Sequence, residues 1–413
     1  LKKYDVLVIG AGAAGMTAAG AAARGGLKIA LVERNDRVGR KLGITGKGRC
    51  NVTNNCEVDE FIKNIPQNGG FMYSSASRFT PHDTMELFES LGVPLKVERG
   101  NRVFPVSDRA ADIVSALRRY TAEGGVDIIR GRAASLIIDG GELAGAALDD
   151  GRKVWAPAVV VACGGLSYPA TGSTGDGYSL ARQAGHTVTE LRPSLVPLCA
   201  AGEDCRRLQG LSLRNVAVTV KNSGDEAVYR DFGELMFTHF GITGPTVLSA
   251  SAHMRDFSRE RYRFIIDLKP ALDEQKLDER LLRDFAEFSR REFANSLDKL
   301  LPRKLIPVII DRSGIDPSLR VNGITRGQRL ELVRQLKCFE IEITGPRPID
   351  EAIITSGGVC TKEINPRTME SRLLPGLYFA GEVIDVDAYT GGFNLQIAFS
   401  TAMAAAGALC TSV

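Results

Sequence analysis

The chain has 413 residues, 44% hydrophobic and 24% charged, an ordinary globular composition with length enough for two or three domains. A net charge of +3 without a basic tail argues against nucleic acid as the main partner and leaves a local basic patch open. Eight Cys without a C-x-x-C pair and only four His argue against a zinc ribbon, a redox dithiol or any metal centre, and fit reduced, cytoplasmic thiols.

In chain order, Tyr4–Ile9 is a short apolar run that reads as a buried parallel strand. Gly10-x-Gly12-x-x-Gly15 follows at once, then an Ala-rich helix to about Arg24, a Gly25-Gly26 stop and a second strand over Lys28–Glu33. Two Lys ahead of the apolar stretch Val6–Ala23 imitate a secretory leader, but the ordered Gly spacing and the second strand read as a βαβ unit. In such a unit Gly10 makes the turn, Gly12 lets a pyrophosphate approach the backbone, and Gly15 lets the helix lie close to the sheet. Glu33, 18 residues past Gly15, stands where an acid holds the adenosine ribose hydroxyls and disfavours a 2′-phosphate.

Residues 39–55 read as a Gly- and Arg-rich loop whose cations neutralise pyrophosphate and whose Gly let backbone lie against a flat ring. Residues 81–120 read as mostly helical. Strands are expected at Val126–Arg130 and Ala133–Asp139, with Gly140-Gly141 as a hairpin turn, and at Ala158–Ala162, which runs into Cys163-Gly164-Gly165. Ala133 and the Gly164-Gly165 turn suit the adenine side, and Asp176 in the Gly-rich turn of Thr171–Ala184 is either a helix cap or a cofactor ligand. The style changes near Leu191 to short strands, then to charged helical stretches at Leu272–Leu301 and Arg326–Lys337, and a strand at Phe339–Thr344. The apolar, Gly-rich style returns in Ile353–Cys360 and Gly376–Gln396. The expected division is a first domain over 1–190, an inserted β-rich domain over 191–270, an inserted helical domain over 271–344, and a return to the first domain over 345–413. Ala398–Cys410 reads as a buried helix too short to span a membrane, and no membrane partner is expected.

Two late motifs complete a two-part site. Gly376–Glu382 is a strand ending in Ala-Gly-Glu, with Gly381 at the turn and Glu382 placed to accept a ribityl hydroxyl. In Tyr389–Gln396, Gly391 and Gly392 open a small-residue helix whose N-terminal dipole would face a flavin edge, with Asn394 and Gln396 placed to bond its pyrimidine rim. Tyr389, His239 and Tyr168 are the candidate proton donors; no Ser-His-Asp or H-E-x-x-H pattern is present.

GAGAAG at 10–15, GKGRCNVTN at 46–54, GSTGDGY at 172–178, FTHFGITGP at 237–245 and INPRTMES…GLYFAGEVIDVDAYTGGFNLQIAFSTA at 364–402 together resemble the bacterial HI-type, YhiN-like flavoprotein family, which includes a 3-dehydro-bile-acid Δ4,6-reductase. The resemblance runs almost end to end; Lys47 departs from it, standing where the family typically has Gly. It implies an α/β, Rossmann-type, glutathione-reductase-like FAD domain split by a β-rich barrel-like domain and a small helical domain. By motif it carries non-covalent FAD contacts onto Gly10, Gly12, Ala13, Ala14, Gly15, Glu33, Arg34, Arg40, Lys41, Cys50, Asn51, Ala133, Gly164, Gly165, Gly381, Glu382, Gly392, Asn394 and Leu395.

The expected activity is an NAD(P)H-driven, FAD-dependent reduction of a conjugated or planar small-molecule substrate. The sequence holds no second complete GxGxxG, so NAD(P)H is expected to bind transiently. One alternative is a flavin enzyme acting on nucleic acid, as in tRNA modification; Arg255, Arg259, Arg261, Arg263, Arg290, Arg291, Arg303 and Lys304 would serve it, but interspersed acids read better as a solvated mixed-charge face. The other is a non-catalytic redox sensor with Cys50 as its thiol. Substrate, NADH versus NADPH and oligomeric state stay open at this level.

Overall fold

The computed structural model describes residues 3–412. Four consecutive apolar residues, Val6–Ile9, are buried on both faces, which only the middle of a parallel sheet provides. They form the central strand of a five-stranded parallel sheet. Ala158–Val161 pairs on one side, with Leu377–Phe379 beyond it. Ile29–Glu33 pairs on the other side, with Asp127–Arg130 beyond it. Because all five strands run the same way, the segments that follow them lie along one edge of the sheet: Gly10–Gly12, Arg34, Gly131, Cys163–Gly165 and Gly381–Glu382.

Helix Ala13–Arg24 packs against the C-terminal helix Phe393–Ser412. Gly381 lies between Ala14 and Ala398 at one end of the pair, and the Cys410 thiol reaches the Ala22 carbonyl at the other. The two helices therefore run parallel, and both N-termini open at the same sheet edge. The C-terminal helix is longer than the sequence reading allowed: at 20 residues it is long and apolar enough to cross a membrane. Its most apolar window is 67% buried inside the protein, which is how the core helix of a folded domain behaves.

Smaller sheets flank this layer. Ala133–Asp139, Glu142–Leu148 and Lys153–Trp155 form a meander, and Gly140 and Gly141 both take positive φ at its first turn, as the hairpin reading expects. Residues 81–120 contain a hairpin the sequence reading lacked, Leu95–Glu98 with Arg102–Pro105, turned by Gly100 and Asn101 at positive φ. Residues 39–55 are likewise more than a loop: Arg40–Ile44 is a short helix anchored by buried Leu42.

The chain divides into two compact units, one formed by the residues up to Ser194 with those from Pro348 onward, the other by Leu195–Arg347. In the second unit six strands close a barrel around Phe237, Phe264 and Phe339. Its last strand, Phe339–Pro346, comes after helices Glu274–Glu287, Ile306–Ser313 and Arg326–Lys337. These helices bury Leu277, Leu281, Ile309, Leu332 and Leu336 in the same hydrophobic cluster as the barrel.

Candidate functional site

The first strand ends in a corner where two of three glycines are demanded by the protein itself. Gly10 has φ +101, and a Cβ there would stand 2.6 Å from the Ala162 carbonyl oxygen; one at Gly15 would stand 1.7 Å from that of Gly10. Gly12 differs: nothing lies within 4 Å of an added Cβ, and its extended backbone suits any residue. Gly12 is also the N-cap of the helix that continues through Ala13 and Ala14, and no side chain caps its free N–H groups. Open space, free donors and the positive end of a helix dipole fit a pyrophosphate. Glu33 closes the corner: its buried carboxylate accepts the Ala11 N–H at 2.8 Å and two bonds from Asn35, also at 2.8 Å. Arg40 donates to Asn35 at 3.0 Å, so Asn35, absent from the sequence reading, ties it to Glu33.

Beside this corner Arg34 and Arg132 share the Asp176 carboxylate at 3.0 and 2.7 Å. Asp176 starts its helix without acting as a cap; it serves as their counter-ion. Ala133 is buried next to Arg132.

A second cluster forms where the Ala158–Val161 and Leu377–Phe379 strands end. Lys41 Nζ stands 2.6 Å from Glu382 Oε2 and 2.6 Å from Ser167 Oγ. Glu382 Oε1 accepts the Ser167 hydroxyl at 3.0 Å and the Thr355 N–H at 2.9 Å. Gly165 leaves room for this network, since a Cβ there would lie 2.5 Å from Thr355 Oγ1 and 2.7 Å from Glu382 Oε1. Gly164, at φ +72, makes the turn before it. Tyr168 follows Ser167 in a left-handed conformation, φ 53, and its ring centre lies 6.0 Å from Lys41 Nζ. Lys41, Glu382 and Tyr168 are thus brought together, with Ser167 and Thr355 as members the sequence reading missed. Only the position of Ser167, directly after the Gly164-Gly165 turn and Leu166, hinted at it.

The third part is the turn into the C-terminal helix. Gly392 has φ +98 and presses on the Thr53 carbonyl oxygen, 2.3 Å from where a Cβ would sit. The Asn394 side chain accepts the Ala388 N–H at 2.8 Å and donates to the Ala388 carbonyl at 2.7 Å, so it shapes the loop carrying Tyr389. Gln396 is fully buried and accepts the Thr53 and Thr84 hydroxyls at 2.6 and 2.8 Å, which corrects its expected role at a pyrimidine rim. Leu395 and Tyr389 are partly buried against the main core.

The Lys47 loop keeps the shape its glycine neighbours impose: Gly46, Lys47 and Gly48 all take positive φ. Asn51 Oδ1, just beyond, is buried with no hydrogen-bond partner among the described residues, an acceptor left for a bound group. Cys50 is wholly buried, and burial pushes its thiol up to about 12. A thiol so held stays protonated and unreactive, which removes the physical basis for the Cys50 redox sensor. His239 lies in the other unit, exposed in the barrel turn with its ring 5.1 Å from that of Phe240.

Comparison with known proteins matches residues 4–408 to the family described as HI0933-like protein Rossmann domain. A 3-dehydro-bile acid Δ(4,6)-reductase of Clostridium scindens is 31% identical, over 95% of this chain and 96% of that protein. A ribosomal RNA dihydrouridine synthase of Escherichia coli is 32% identical over 98% of both chains. Among solved structures, the 3-ketosteroid Δ1-dehydrogenase of Sterolibacterium denitrificans shares the fold, with a TM-score of 0.56, 15% identity and full coverage of both chains.

Proposed function

Because the chain belongs to the HI0933-like family of Rossmann-type FAD-dependent oxidoreductases, we propose that it holds FAD non-covalently and uses NAD(P)H to saturate a carbon–carbon double bond conjugated to a carbonyl in a planar organic substrate. The observation that carries this reading is the Lys41–Glu382–Ser167 network beside Tyr168, on the same sheet edge as the open Gly12 corner. The names of the two long relatives describe the same bond type: one a reductase of a 3-oxo steroid acid, the other a maker of uridine with its ring double bond saturated.

When bound, FAD supplies the hydride chemistry, while the protein supplies the proton and the positioning. Gly12 and the uncapped first turn of the Ala13–Arg24 helix hold the pyrophosphate, and Glu33 the adenosine ribose. Glu382, fixed by Lys41, Ser167 and Thr355, orients the ribityl arm. Asn51 Oδ1 offers one acceptor to the bound cofactor. Tyr168 is the favoured proton donor of the three candidates, since its ring lies 6.0 Å from Lys41 Nζ, beside the Glu382 network.

Anaerobic mixing with NADH or NADPH, followed in the visible flavin band, tests this. Fast bleaching by either, reversed by a steroid enone or other conjugated carbonyl compound, is expected. An FAD-loaded protein that dithionite reduces and neither nucleotide bleaches overturns the NAD(P)H linkage.

A second reading makes the conjugated bond that of a uracil in RNA. Ribosomal RNA dihydrouridine synthases from two organisms match the chain over 97–98% of its length. In addition, the whole excess of positive charge falls within Leu195–Arg347, while the other unit is balanced. Re-oxidation of the reduced protein by a ribosomal RNA transcript but not by a bile-acid enone selects this reading; the converse excludes it.

A further inference from the structure

The Thr355 N–H that holds Glu382 Oε1 belongs to the backbone, so no change of the Thr355 side chain removes it; the placement of the strand Ile354–Ser356 decides where it points. That strand is three residues long and pairs with Arg192–Ser194 in a two-stranded antiparallel ribbon outside the parallel sheet. So short a ribbon is not held in place by its own ladder. Side chains alternate between the two faces of a strand. Thr355 turns to one face, where its Oγ1 accepts the Leu166 and Ser167 N–H groups at 2.8 and 3.2 Å. Ser356 turns to the other, the face shared by Ile354 and by Ser194, which stands opposite Ile354 in the register. There both serine hydroxyls donate to one carboxylate: Ser356 to Asp387 Oδ1 at 2.9 Å and Ser194 to Asp387 Oδ2 at 2.8 Å. Asp387 is buried, and the next residue, Ala388, is locked by the Asn394 side chain at the start of the C-terminal helix. Hydrogen bonds to a carboxylate are stronger than those between neutral groups, which makes this a stiff clamp on both strands of the ribbon.

We propose that Asp387 is a positioning residue for the cofactor: by clamping Ser194 and Ser356 it fixes the ribbon, and through the Thr355 N–H the ribbon fixes the Glu382 carboxylate that orients the ribityl arm. The inference rests on the FAD contact proposed above for Glu382 and is independent of the electron donor and the substrate. The same strand holds the Leu166–Ser167 backbone through Thr355 Oγ1, so the turn that leads into Tyr168 depends on the clamp as well. Asp387 thus acts on the site through two intermediaries, Ser356 and Thr355, and its effect on the cofactor should pass through Glu382.

The test titrates FAD into the full-length, cofactor-free protein, follows flavin fluorescence, and records the denaturation midpoint without FAD alongside. Ser356→Ala, which releases one strand from the clamp, is expected to weaken FAD binding about 10-fold. Ser356→Thr, which keeps the hydroxyl, restores the affinity, and Asp387→Asn, which keeps the shape and removes the charge, weakens it. A double-mutant cycle separates positioning from plain stability. In a Glu382→Gln background Ser356→Ala has little further effect on FAD affinity, because the contact it supports is already lost. Should Ser356→Ala fail to fold, Ser194→Ala carries the same cycle. An affinity unchanged by Ser356→Ala, or weakened by the same factor in both backgrounds, overturns the inference whatever happens to the denaturation midpoint. In that case wild type still binds FAD and the proposed function stands. A wild-type protein that binds no FAD overturns both.

Discussion

Gly12 and Gly392 each stand just before a helix, and those two helices lie parallel with their N-termini at one sheet edge. In sequence they look equivalent, and both fall in the motif-derived cofactor set. In the fold they are opposites. Gly392 has positive φ and the Thr53 backbone against it, so the protein alone requires glycine there. Gly12 has ordinary backbone, and nothing lies within 4 Å of an added Cβ, so the fold itself does not require glycine there. At the uncapped N-terminus of a helix on the sheet edge, that open space lets a ligand approach the backbone.

The sharpest way to break that comparison is to substitute both. Gly392→Ala combines a left-handed backbone with a clash against a carbonyl and is expected to cost at least ~3 kcal/mol, read as a lowered denaturation midpoint or loss of soluble protein. Gly12→Val is expected to leave the cofactor-free protein within about 0.5 kcal/mol of wild type and to abolish FAD binding. A yellow Gly12→Val protein, or a Gly392→Ala protein as stable as wild type, reverses the assignment of the two.

Next in size is the Lys41–Glu382 pair. Lys41→Met strands a mostly buried carboxylate beside Ser167 and Thr355, at a cost of about 2 kcal/mol given the pair's partial exposure. Glu382→Gln in the same chain is expected to recover much of that loss in a chemical-denaturation series but not the wild-type affinity for FAD. A stability unchanged by Lys41→Met contradicts the role given to the pair.

A smaller effect separates cofactor chemistry from plain burial. His186 sits in the core of the same unit, its Nε2 2.7 Å from Ser371 Oγ and its Nδ1 3.2 Å from Glu363. Burial holds its pKa below the ordinary 6.5 despite that carboxylate. The unfolded chain therefore takes up the proton first as pH falls: this group's contribution to stability is intact above about pH 6.5 and declines below it. Denaturation midpoints measured across that window should fall with acidification in wild type and fall less in His186→Gln. The smallest expected change is Lys47→Gly: relief of a left-handed lysine, offset by chain entropy, gives a gain under ~1 kcal/mol in thermal unfolding.

Much of the fold was legible because it is written in short spacings. Gly10, Gly12, Gly15 and Glu33 announce a strand, a turn, a helix and a strand by local periodicity alone, and Gly140-Gly141 announces a hairpin. Leu95–Pro105 escaped because the hairpin's strands are only four residues each, between two genuine helices, although Gly100-Asn101 was a readable turn signal. Gln396 was misjudged because a polar residue in a cofactor-like motif looks alike whether it faces a ligand or is buried holding the fold.

The sequence by itself determined the opening βαβ unit and membership of an FAD-binding family, because both are carried by motifs whose residues lie close together along the chain. The tertiary structure alone decided which glycine is free, that Cys50 is sealed in the core, and that Lys41 meets Glu382, 341 residues away. It also decided that Ser194 and Ser356 meet on Asp387. These depend on which strands lie side by side, and a parallel sheet gathers the ends of distant strands at one edge whatever their separation in sequence.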